Sequence, residues 1–193
     1  RQMCIRDRYK CLRPRQQTLP KLNRKAGTMS RRSAQDWLDA YGESHQHGLN
    51  KIIHWVCVPA IMFSLLGLLT SIPSGFLGAP LPPALAPWAN WASLLVLGSL
   101  AFYTRLSLPL AIGFVPIGFT LLWGNVALKV AEEGGSPPLV TISLAIFALA
   151  WLGQFIGHKI EGQKPSFFED LQFLLIGPAW LLAAIYRKLR IPY

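Results

Sequence analysis

Four apolar runs, 49–71, 88–106, 110–130 and 139–157, constrain this chain more than any other feature of its sequence. Each approaches the roughly 20 residues with which an α-helix crosses a hydrocarbon core of about 30 Å. In that medium a backbone must satisfy its own N–H and C=O groups, so such runs are read as helices. Charged residues make up only 15% of the chain, against about 25% in a soluble domain. The expected fold is an all-α integral membrane bundle of about four transmembrane helices, with residues 29–193 forming a single membrane-embedded domain.

The breaks between the runs have physical causes. A proline- and glycine-rich stretch, IPSGFLGAPLPPALAPW, separates the first two; Leu108-Pro109 marks a tight turn, and EEGGSPP precedes the fourth. Ahead of the first run, SAQDWLDAY predicts a short amphipathic helix near the headgroups, with Trp37 and Leu38 on its apolar side. Ser33 is its expected N-cap, with Asp36 three residues on. The last apolar segment, LQFLLIGPAWLLAAIY, is short for a span and is interrupted by Gly177-Pro178. It is read as a broken re-entrant or interfacial helix rather than a fifth crossing.

Charge sets the orientation. Of the 19 Lys and Arg, 11 lie in residues 1–32, against the single acid Asp7. Arg105 sits between the second and third runs, and Lys159 and Lys164 follow the fourth. Lys and Arg favour the cytoplasmic side, so the start of the first run and the end of the fourth are expected to face the cytoplasm. That membrane would be the inner membrane of a bacterium or the endoplasmic reticulum of a eukaryote. The basic arm carries no aromatic-interleaved platform or reading motif, so no nucleic-acid partner is expected. Residues 1–28 are read as a disordered or mis-assigned extension, with Met29 the more natural start. Cys4, Cys11 and Cys57 form no paired motif, which leaves metal chemistry to imidazole and carboxylate.

An even number of crossings returns the chain to the same face. His45, His47 and His54 at the start of the first run and His158 at the end of the fourth then share one depth. Residues 47, 50 and 54 fall on a common helical face, and a break at Gly48 would fold His45 over the same point. Gln154, His158 and Glu161 form a second stripe. Polar side chains at membrane depth are costly and usually pair or face a cavity. Neutral imidazole suits Fe, Zn, Cu and Ni, and Asn50, Gln154, Glu161 and His47 stand where they can orient a ligating histidine. Spacing alone leaves open an oxygen-activating iron, a hydroxide-generating zinc, a haem between helices, and a lipid-binding protein without catalysis. The seven tryptophans are read mainly as interface anchors, with no ligand role.

One resemblance narrows this. Tyr41-x3-His45-x4-Asn50-x3-His54-x4-Pro59, then Gln154-x2-Gly157-His158-x2-Glu161-x3-Pro165, then Gly177-Pro178, resembles a family of small multi-span membrane proteins. That family includes the yeast 2-hydroxy fatty acid dioxygenase of phytosphingosine breakdown, and the similarity covers about residues 33–188. It implies an Fe(2+)-dependent α-oxidation in which a 2-hydroxy fatty acid and O2 give a fatty acid one carbon shorter. It implies His45, His54 and His158 as the catalytic metal ligands, with Asn50, Gln154, Glu161 and His47 behind them. The carboxylate of such a substrate would be drawn by Lys51 or Lys159, and its tail would lie between helices in the bilayer.

Overall fold

The computed structural model describes residues 33–43, 45–162 and 174–193. The expectations for residues 1–28, Met29, Lys164, Pro165 and the start of the segment 171–186 lie outside the described residues.

All regular structure among the described residues is helical. In chain order it comprises α1 (Ala34–Glu43), α2 (Gly48–Ser71), a short turn of helix α3 (Gly75–Gly78), a 3-10 turn (Ala86–Trp88), α4 (Trp91–Leu106), α5 (Leu108–Glu133), α6 (Leu139–Glu161) and α7 (Ile176–Leu189). The chain is an all-α integral membrane protein: α2, α5 and α6 have both the length and the apolar composition of a span. The remaining expected span, 88–106, is shorter than its apolar run, because residues 86–88 turn as 3-10 helix and Asn90 caps α4 at Trp91. The 16 residues of α4 reach about 24 Å at 1.5 Å per residue. Ser107 closes α4 and opens α5 at once, with Pro109 in the first turn of α5, where a missing N–H costs no helical bond.

The bundle is held by close backbone approach. Gly153 faces Cys57 Sγ, Gly157 faces the Asn50 amide, and Gly67 faces Ser143 and Asn125. In the pairs 50/157, 57/153 and 67/143 one number rises as the other falls, so α2 and α6 run antiparallel. Small residues at such contacts let apolar helices gain van der Waals packing where lipid offers no hydrophobic drive. An added Cβ at Gly153 would sit 2.6 Å from the Cys57 sulfur, so the contact needs glycine.

Two expectations change at the ends. The Ser33–Asp36 cap forms reciprocally, Ser33 N donating to Asp36 Oδ2 at 2.8 Å and Asp36 N to Ser33 Oγ at 3.1 Å. Yet the apolar side of α1 is not laid on headgroups: Leu38 and Tyr41 are buried in one core cluster with Ile176, Ala179 and Trp180 of α7. Gly177-Pro178 does not interrupt a helix. A turn at Leu174 and Leu175 precedes α7, so the pair occupies its first turn, a position that tolerates proline. The residues of α7 from Ile176 to Ala183 are buried; near its C-terminal end the Tyr186 hydroxyl donates to the Pro109 carbonyl at 2.9 Å, and at its N-cap the Leu175 carbonyl accepts from the Tyr103 hydroxyl of α4 at 2.8 Å.

Candidate metal centre

Three of the four histidines meet. His45, His54 and His158 each offer a ring nitrogen within 4.8 Å of the others, and all three are at most 5% exposed. Each arrives from a different element: His54 from the second turn of α2, His158 from the last turn of α6, and His45 from the link between α1 and α2. That link is the break anticipated near Gly48. Glu43 ends α1, Gly48 begins α2, and the His45 amide turns back to the Gly42 carbonyl at 3.1 Å.

The hydrogen bonds fix which nitrogen of each ring faces the cluster. His45 Nδ1 lies 2.7 Å from the Tyr41 carbonyl, and His54 Nδ1 lies 2.9 Å from the Asn50 carbonyl. A carbonyl only accepts, so each Nδ1 carries the proton and each Nε2 presents a lone pair. Those two Nε2 atoms stand 2.8 Å apart. Two acceptors at that distance repel unless a proton or a cation lies between them. Backbone carbonyls holding Nδ1–H while Nε2 points to a shared centre is the usual arrangement of ligating histidines. The donor set therefore fits a divalent metal with an affinity for imidazole.

His45 is gripped by aromatics. Tyr41 stacks on its ring with centroids 4.2 Å apart and 17° between planes, and Trp180 lies 5.7 Å away. Trp180 is thus a packing partner of the site, not an interface anchor. Its place, and the use of the Tyr41 carbonyl, were not visible from spacing; the one pointer was Tyr41 standing one helical turn before His45.

Glu161 stands outside the cluster of three imidazoles, although its charge acts on His45. Its carboxylate accepts from Gln46 N at 2.7 Å, from His47 N at 3.0 Å and from Asn50 Nδ2 at 2.9 Å. It thereby pins the end of α6 to the N-terminus of α2, where a negative charge meets the positive end of the helix dipole. Asn50 is fully buried between Glu161 and Gly157. His47 lies apart from the cluster. Its extended backbone makes it the N-cap of α2, and its exposed ring accepts from Leu49 N. The common face expected for 47, 50 and 54 fails at 47 because the helix starts one residue later. Gln154 is buried one turn below His158 and lines a chamber with Tyr41, Val58, Met62 and Gly177.

On its other side the histidine layer meets a polar pocket. Lys51, Arg187, Asp39 and Glu43 line it together with His45 and Trp180; Lys159 is exposed on α6 and is not part of that lining. The centre thus has an ionic side and an apolar side.

An all-α membrane bundle enclosing three convergent imidazoles defines a class: an integral membrane protein with a candidate metal centre at one end of its helices. Within that class, residues 31–189 match the Mpo1-like family, described as 2-hydroxy-palmitic acid dioxygenase Mpo1-like, and the chain belongs to that family. Comparison with curated proteins and with solved structures finds no match.

Proposed function

We propose that this protein is an iron(II)-dependent dioxygenase that shortens 2-hydroxy fatty acids by one carbon. The observation that carries the reading is the meeting of His45, His54 and His158 within 4.8 Å in a chain of the Mpo1-like family. The balanced reaction takes R–CH(OH)–COOH and O2 to R–COOH, CO2 and H2O. The bond between C1 and C2 breaks, and the four electrons released by carbon reduce O2.

His45, His54 and His158 would hold the iron through ring nitrogens, leaving positions for a chelating 2-hydroxy carboxylate and for O2. Iron, when bound, supplies the redox partner that O2 needs. The protein's own residues do the rest. Tyr41 and Trp180 keep the His45 ring oriented and shield one flank from water. The Tyr41 and Asn50 carbonyls keep the protons on Nδ1, so both Nε2 lone pairs remain available. Glu161 holds the 46–50 turn against α6 and so fixes the distance between His54 and His158. Lys51 and Arg187 offer cationic partners for a carboxylate on the ionic side, beside the acids Asp39 and Glu43 that share the lining. Cationic side chains at this end also favour a cytoplasmic orientation.

A haem held by His54 and His158 is the weaker reading. His45 already contacts both rings, with centroids 4.2 and 5.5 Å away, and occupies the space a porphyrin would need. The test is oxygen uptake by the anaerobically purified, iron-loaded protein given 2-hydroxypalmitate. The expected result is one O2 consumed per pentadecanoic acid formed, without a haem absorption band. A haem band, or no uptake from a fully iron-loaded protein, contradicts the proposal.

A further inference from the structure

Below the histidines the bundle is not filled. One helical turn deeper, Val58 follows His54 on α2 and Gln154 precedes His158 on α6. These residues, with Tyr41, Ile61 and Trp151, wall a narrow chamber that Met62 also lines. Met62 and Leu174 also border a second space, a cleft partly open to its surroundings. Leu66, Val96, Leu100, Phe114 and Leu121 make its walls apolar. The Tyr103 hydroxyl at its edge is already engaged with the Leu175 carbonyl, so it asks nothing of a ligand. Leu95, exposed on α4, stands at the opening.

We propose that chamber and cleft form one channel for a single acyl tail, and that Gly118 with Val96 sets the chain length it accepts. The inference rests on the dioxygenase reading for the identity of the headgroup. Three observations point to an alkyl occupant. The channel begins one turn from the imidazoles, where the headgroup is held. Its lining beyond Gln154 is almost wholly hydrocarbon. It opens sideways beside the exposed Leu95, the route for a chain already dissolved in lipid. From His54 to Leu66 is about 18 Å along α2 at 1.5 Å per residue. With carbon–carbon bonds of about 1.5 Å, an extended alkyl chain advances about 1.25 Å per carbon, so about 14 carbons fit. Each methylene withdrawn from water strengthens binding about fourfold, so the channel rewards length until its end is reached.

Gly118 leaves the channel open about one helical turn short of Leu66, which packs with Leu122, because a glycine has no side chain. A Cβ there would come 3.0 Å from Val96 Cγ1, so a larger residue must project into the cleft. Gly98 on α4 is the matching control, because a Cβ there meets nothing within 4 Å.

The test measures kinetics with 2-hydroxy acids of ten to eighteen carbons for the full chain in lipid nanodiscs, together with photolabelling of the unsubstituted protein. Gly118→Leu should raise KM for 2-hydroxypalmitate about tenfold or more while leaving the ten-carbon acid within about twofold. Gly98→Leu should leave the profile unchanged. A 2-hydroxy acid carrying a diazirine at its tail end should label α2, α4 and α5 around Leu66, Val96 and Leu121. Label on outward residues such as Leu97 or Leu144, or a Gly118→Leu profile identical to that of the parent, overturns the channel. Labelling needs no turnover. It decides the channel even if no 2-hydroxy acid is oxidised, an outcome that would count against the dioxygenase reading alone.

Discussion

Helix α2 carries two buried polar clusters, and they solve different problems. Toward one end, Gly67 lies against Asn125 and Ser143. Toward the other, Asn50 and His54 lie against Gly157 and His158. In the first cluster the Asn125 amide donates to the carbonyls of Phe63 and Leu121 at 3.1 and 2.9 Å. Its oxygen and the Ser143 hydroxyl simply face a glycine, without hydrogen-bond partners among the described residues. Those groups let three helices approach closely, and they bring no set of strong ligand atoms to one point. In the second cluster the backbone takes the Nδ1 protons and leaves Nε2 lone pairs converging. Burial, small residues and polarity are common to both; the direction of the lone pairs makes one a candidate centre for chemistry.

That contrast is open to direct attack, beginning with the largest effect. His54→Ala or His158→Ala should abolish metal retention and lower oxygen uptake by more than the roughly 10–100-fold typical of a residue that only supports a ligand. Ser143→Ala should leave both within about twofold. Metal content per chain and uptake rate, measured on the same samples, decide between them.

Glycine substitutions separate packing from chemistry. Gly67→Val and Gly157→Val should each destabilise the bundle by about 1–3 kcal/mol through overpacking, read as a lowered melting temperature in detergent. Only Gly157→Val should also reduce metal occupancy, because it displaces Asn50, whose carbonyl holds His54. Equal occupancy in the two variants would dissolve the distinction.

The two ends also share a device, a glutamate at a helix N-terminus. Glu161 serves α2, while Glu132 accepts from Leu139 N at 3.0 Å and pairs with Lys129 at 3.1 Å at the start of α6. Glu161→Gln should weaken metal affinity about tenfold, measured by chelator competition, and Glu132→Gln should not change it. The smallest effect is expected at His47, whose ring caps α2 away from the cluster. Asparagine is among the best N-caps, so His47→Asn should keep oxygen uptake within about twofold.

Much of this was legible in the sequence, for a reason. Apolar run length reports on spans because the bilayer imposes it, and an even number of crossings brings residue 158 back to residue 54. Reading α4 from its apolar residues alone overstated its length, since 3-10 turns and caps leave no periodic trace. In sequence the Gly177-Pro178 pair reads as an interruption, because the same residues mark a kink or a helix start, and only the Leu174–Leu175 turn tells which. A common face for His47, Asn50 and His54 requires an unbroken helix; a start at Gly48 turns His47 outward. Trp180 came from a distant element, and no spacing rule connects it to His45. The antiparallel seam of α2 and α6 also lay beyond the sequence, because glycines at 67, 153 and 157 acquire meaning only with their partners in place.

The central claim is that His45, His54 and His158 share one ion. Metal analysis of anaerobically purified protein, alongside His54→Ala and His158→Ala, tests it most directly. Close to one iron per chain is expected in the parent protein and almost none in either variant, with all three still folded. Iron retained in full by both variants, or a folded parent that binds no divalent metal when it is supplied, would contradict it.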